Sequence, residues 1–122
     1  MDFNQFLISI SKIKNIPLPA ENSQFKMSPP FRKELINRNK EAMKTAKRAG
    51  VMALFYPDRD HNTNLVLILR KTYKGVHSAQ IGLPGGKLEP HDDSIKTAAI
   101  RETFEEIGVP IQDIEVKREI TQ

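Results

Sequence analysis

The stretch GLPGGKLEPHDDSIKTAAIRETFEEIGV, residues 82–109, decides the fold. It opens on a Pro84-Gly85-Gly86 turn and continues into a segment with helix signals at both ends. Asp93 or Ser94 can serve as the N-cap, and Gly108 followed by Pro110 stops the helix. At 100° per residue, Ile95, Ala98, Ala99, Glu102, Glu105 and Glu106 form one stripe, small and apolar first and then entirely acidic. Ile100, Phe104 and Ile107 form a second apolar stripe on roughly the opposite side. The spacing predicts a helix anchored through Ile100, Phe104 and Ile107, with its carboxylates turned toward a cleft.

Three acids so close together need a reason in a chain of net charge +4. They repel one another, and they lie at a helix C-terminus, where the macrodipole also disfavours negative charge. Arg101 can pair with Glu105 at i,i+4, which offsets only part of this. Taken alone, a Glu-rich helix end is solvated surface. Set behind a Gly-Gly turn that lets backbone approach a ligand closely, it suits a hard divalent cation, which takes oxygen ligands and bridges carboxylates to phosphates. The turn is no Walker loop, because the glycine-lysine-hydroxyl ending is missing.

Working outward, VMALFY (51–56) and LVLIL (65–69) are short apolar runs around the polar turn PDRDHNTN, and predict a β-hairpin with both strands buried. AQIGL (79–83) predicts a third strand, and a weaker pattern suggests a last one over 114–120. Upstream, Phe3, Phe6, Leu7, Ile10 and Ile13 recur at helical spacing and predict an amphipathic helix docked on the core. Pro17, Pro19, Pro29 and Pro30 mark an irregular connector. Residues 34–47 predict one helix with Ala42, Met43 and Ala46 facing inward, ended by Gly50. The order of elements gives an α/β (α+β) domain with helices on a mixed sheet.

Composition narrows the function classes. No run approaches the roughly 20 apolar residues of a membrane span. MDFNQFLISISKIKN lacks the basic start and unbroken apolar core of a signal peptide. The chain has no cysteine, which excludes disulfides and thiolate-metal sites and suits a cytoplasmic setting. Basic residues crowd positions 26–48, but glutamates are interspersed and no aromatic platform accompanies them. A solvated helix face is expected there rather than a nucleic-acid or membrane surface. His61 and His91 sit in polar turns and read as ordinary surface residues.

Residues 86–109 resemble the Nudix box, G-x5-E-x7-R-E-U-x-E-E-x-G-U, where U is apolar. Arg101-Glu102, Glu105-Glu106 and Gly108-Val109 hold their positions, and Asp93 stands for the first glutamate, seven residues before Arg101. Six residues rather than five separate Gly86 from Asp93, and Thr103 fills an apolar slot. The flank RKTYKGVHSAQIGLPGG resembles the coenzyme A pyrophosphatase branch of that family, through Arg70, His77, Gln80 and Pro84-Gly85-Gly86. Ala79 and Leu83 depart from its glycine and phenylalanine.

The resemblance implies a Nudix-like α/β/α sandwich, with N-terminal helices and connector over 1–48 and the Nudix core over 49–122. It also implies further strands and a helix beyond Gln122, so that the core is expected to be partial. It implies hydrolysis, with Mg²⁺ or Mn²⁺, of a nucleoside diphosphate linked to another group. In the coenzyme A branch the products are 3′,5′-ADP and 4′-phosphopantetheine. Glu102, Glu105 and Glu106 are the implied metal ligands, with a backbone carbonyl at Gly86. Glu102 is also the candidate to orient or deprotonate water, while Arg101 and Asp93 fix the loop and the acids. Arg70, His77, Gln80 and Lys87 are the candidate substrate contacts, His77 standing against the plainer reading of a structural histidine. The partner is a small nucleotide such as coenzyme A, and a homo-oligomer is compatible with the sequence. The competing expectation is a Nudix scaffold that binds nucleotide or a partner chain without turnover.

Overall fold

The computed structural model describes residues 1–70 and 80–120. Its strands come from three chain segments, each of which pairs with both of the others. The first holds β1 (Ala49–Val51) and β2 (Phe55–Pro57), and the second β3 (Thr63–Leu65) and β4 (Ile68–Leu69). The third holds β5 (Ile81–Gly82) and β6 (Gly85–Lys87). β2 pairs β3, β4 pairs β5, and β1 closes the circuit on β6, with Gly50 opposite Gly86. Single backbone bonds continue these ladders past their ends: Val66 N–H to Leu54 O, Arg70 N–H to Gln80 O, and Met52 N–H to Pro84 O.

The expected hairpin therefore forms, but each apolar run bends partway and changes partner, which is why every strand is short. All ladders among the described residues are antiparallel, within the α/β content expected. The strands are not buried as expected. Val51, Tyr56, Leu65, Leu67 and Leu69 are all exposed: α5 packs on the β1–β6 ladder, and α1 reaches the β2–β3 ladder through Phe6 on Phe55, which leaves these side chains uncovered. The start of the expected third strand, at Ala79, lies outside the described residues. Ile114–Ile120 forms no strand. Its Arg118 guanidinium instead donates to the Ile13 and Ile16 carbonyls, tying the C-terminal segment to the N-terminal one.

The amphipathic N-terminal helix is present as α1 (Phe3–Ser11), capped by the Asp2 carboxylate, which accepts from Asn4 N–H and Gln5 N–H. It docks through the Phe6 ring, 4.6 Å from that of Phe55, and through Phe3 N–H to His61 O. His61 itself sits at φ 61 in the β2–β3 turn, which the Asp58 carboxylate organises by accepting from Asp60 N–H and Asn62 N–H. After the short α2 (Ala20–Gln24), the single helix expected over 34–47 is two, α3 (Arg32–Arg38) and α4 (Lys40–Lys44). They break at Asn39, in a stretch whose two asparagines compete for backbone hydrogen bonds. Neither helix buries a residue, and Ala42, Met43 and Ala46 are exposed, so packing does not hold one long helix together.

Candidate active site

The site is built by α5 (Ile95–Ile107) lying on the β1–β6 ladder. Of the two possible caps Ser94 is the one used: its Oγ accepts from Thr97 N–H at 3.1 Å. Gly108, at φ 74, closes the other end by donating to Phe104 O. The expected anchor face is corrected. Ala98, Ala99 and Thr103 are the buried residues, while Phe104 is 47% exposed. The reason is steric. A Cβ on Gly50 would lie 2.7 Å from Ile95 Cγ2 and 3.2 Å from Ala99 Cβ, so the Ile95–Ala99 face meets the ladder at a closeness that only a glycine on β1 permits. Thr103 is tolerated in its apolar slot because its hydroxyl donates to Ala99 O at 2.7 Å.

This rotation carries the acidic half of the same stripe onto β6. The Glu106 carboxylate accepts from Gly85 N–H at 2.8 Å. Glu102 lies against Gly86, where a Cβ would fall 2.5 and 2.6 Å from its two carboxylate oxygens. The Gly-Gly turn is thus the floor on which two carboxylates rest, and the absence of side chains there makes the approach possible. Gly85 also needs its freedom for φ +143.

Arg101 gathers the rest. Its Nε and Nη2 grip both oxygens of Asp92 at 3.0 and 2.9 Å, and Nη1 donates to Glu102 at 3.0 Å and Glu105 at 3.2 Å. Nη2 also reaches the Lys87 carbonyl. Asp92, rather than the expected Asp93, is therefore the acid that Arg101 holds. Five residues separate it from Gly86, as the box requires, and the extra residue falls after the acid instead of before it. The spacing to Gly86 was the sequence signal that pointed to Asp92. Among the described residues no three acidic or histidine side chains form a ready metal cluster: Glu102 and Glu105 face Arg101, and Glu106 faces Gly85. The donor chemistry nonetheless fits a hard cation, since the helix stripe and the adjoining glycine backbone offer oxygen donors only.

Of the substrate candidates, Arg70 and Gln80 adjoin each other across the end of the β4–β5 ladder. The Arg70 Nε would lie 3.6 Å from a Cβ on Gly82. Lys87 is exposed at the end of β6, and His77 lies outside the described residues.

The Asp92 side chain is 1% exposed. The Arg101 fork, followed by the Glu89 N–H, lowers its carboxyl from 3.8 to about 2. A carboxyl whose folded pKa is depressed stabilises the fold fully above its unfolded value and loses that contribution as pH falls through the folded one. The urea midpoint should therefore drop between pH 3.8 and about 2 more steeply in the wild type than in Asp92→Asn. Parallel pH profiles for the two proteins would exclude the linkage.

The profile of the NUDIX domain matches residues 46–122. Nudix hydrolase 22, chloroplastic, of Arabidopsis thaliana is 36% identical over 63 residues, covering 52% of this chain and 21% of that protein. Nudix hydrolase 15, mitochondrial, of the same plant is 36% identical over the same length, covering 52% of this chain and 22% of its own. An uncharacterized Nudix hydrolase, NudL, of Yersinia enterocolitica is 36% identical over 52 residues, 43% of this chain and 27% of its own. The matches thus span about a fifth to a quarter of those relatives. No solved structure matches.

Proposed function

This chain belongs to the Nudix family, and from that membership we propose that it hydrolyses, with a divalent cation, a nucleoside diphosphate linked to another group. The observation that carries the reading is the seating of Glu102 and Glu106 on the Gly85-Gly86 backbone beside a clamped Arg101. Glu102, Glu105 and Glu106, with the Gly86 carbonyl, would hold Mg²⁺ or Mn²⁺. When bound, such a cation supplies positive charge for the phosphoryl oxygens and makes water a better nucleophile. Glu102 orients the attacking water or takes its proton. Arg101 and Asp92 position the loop and the acids rather than touching the reacting atoms.

The substrate proposed is coenzyme A, cut at its pyrophosphate to 3′,5′-ADP and 4′-phosphopantetheine in the cytoplasm. Support comes from the branch-like segment that includes Arg70, His77, Gln80 and the Pro-Gly-Gly turn. Incubating the chain with a panel of nucleoside diphosphate derivatives and Mn²⁺ should release 3′,5′-ADP from coenzyme A, and chelation with EDTA should stop the release. Turnover that persists in EDTA would remove the metal role, and turnover of other panel members alone would remove coenzyme A.

One observation favours a second reading, a scaffold that binds nucleotide without turnover. Arg101 engages both Glu102 and Glu105, as a structural ion-pair network would. Calorimetric nucleotide binding with no product from any panel member over long incubation would select it.

A further inference from the structure

Arg101 meets its acids along two separate edges. Nε and Nη2 take the two Asp92 oxygens, and Nη2 also reaches the Lys87 carbonyl. That edge is enclosed, since the Asp92 side chain is 1% exposed. Nη1 alone serves the helix stripe, donating to Glu102 Oε1 at 3.0 Å and to Glu105 Oε2 at 3.2 Å. Among the described residues no other cation pairs with Glu102, Glu105 or Glu106. One guanidinium, already committed to Asp92, therefore faces the whole acidic stripe.

The two glutamates on Nη1 are not held alike. Glu102 is 20% exposed and rests on the Gly86 backbone, where its oxygens fill the space a Cβ would take. Glu105 is 53% exposed and touches Arg101 through the longer of the two bonds. An exposed i,i+4 pair of this kind shifts an equilibrium by only about twofold. Glu105 also lies in the last turn of α5, where the helix dipole disfavours its charge. It needs a positive neighbour, and it holds this one weakly.

We infer that Glu105 is a releasable carboxylate: Arg101 holds it in the metal-free protein and gives it up when a divalent cation binds, while Asp92 and Glu102 keep their places. The inference rests on the cation-dependent reading proposed above and adds what balances the stripe before the cation arrives. A doubly charged hard ion attracts a carboxylate more strongly than a single guanidinium hydrogen bond shared between two acids. Arg101 cannot follow Glu105 as it moves, because Asp92 and the Lys87 carbonyl anchor the other edge of the fork.

Nuclear magnetic resonance of the isotope-labelled chain, without substrate, reads this on Arg101 itself. Saturation with Mg²⁺, a diamagnetic probe, should speed the exchange of the Nη1 protons with water severalfold, while the Nε proton, bonded to Asp92, keeps its protection. Metal-free Glu105→Ala should already show the fast Nη1 exchange, and calorimetry on the same samples reports whether Mg²⁺ binds. Mg²⁺ binding to the wild type with unchanged Nη1 exchange overturns the inference and leaves the cation reading standing. So does loss of Nε protection, which would mean that the whole guanidinium withdraws. Nη1 exchange equal in the metal-free wild type and Glu105→Ala overturns it as well. Absence of any Mg²⁺ binding removes the inference and the cation reading together.

Discussion

Gly85→Ala should destabilise the protein by about 3 kcal/mol or more, lowering its melting temperature by roughly 10 °C or more. Two effects combine at this position. Its φ of +143 is one that a side chain rarely adopts, and a Cβ there would collide with the Gly50 carbonyl and crowd Val51 Cα at 2.6 Å. The obstructing atoms are backbone of the paired strand, so relief requires β1 and β6 to part. That ladder is the surface on which α5 packs. Gly108→Ala is the control: it shares a positive φ, at +74, but a Cβ there meets nothing within 4 Å. It should cost only the left-handed backbone term, about 1–2 kcal/mol. Thermal melts of the two variants measure the difference. Equal losses would mean that the β1–β6 contact carries no special weight.

Glu106→Gln should reduce turnover of the substrate found in the panel by roughly 100-fold or more, the scale on which preorganised electrostatic groups act. The amide keeps a carbonyl oxygen that can accept from Gly85 N–H, as Glu106 Oε2 does at 2.8 Å, so the fold should hold. Only the charge is lost. Gly86→Ala probes the same site from the other side. Its Cβ would fall 2.5 and 2.6 Å from the Glu102 oxygens, which lie at the end of a flexible side chain and can swing away. Activity should fall while the melting temperature moves little, the reverse of the pattern for a structural glycine. Full turnover in Glu106→Gln, with a melting curve like that of the wild type, would remove Glu106 from the chemistry.

Local signals were legible from the residues alone. The helix over 95–107 announced its cap and its stop, the acids fell on one stripe by periodicity, and the glycine turn marked a close backbone approach. The N-terminal helix showed itself by the spacing of its phenylalanines. What escaped was set by contacts distant in sequence. Ile100, Phe104 and Ile107 had the larger apolar area, and area alone would make them the anchor. The glycine ladder selected the small face instead, because steric fit at close approach outweighs area. The change of partner within each apolar run was equally hidden, since period-2 alternation does not say where a strand bends. Asp92 and Asp93 differ only in register, and the Arg101 fork separated them.

The circular pairing of the three segments also sets an order of assembly. The β2–β3 ladder is closed by a local turn between Pro57 and Thr63, while β1–β6 joins Val51 to Gly85. Closing a longer loop costs more chain entropy, and contacts distant in sequence form more slowly. The hairpin should therefore form early and the glycine ladder last. The floor beneath Glu102 and Glu106 is the closing seam of the fold. Until that seam closes, Glu102 and Glu106 have no backbone floor to rest on, so the arrangement of the acids would arrive only with the last step of folding.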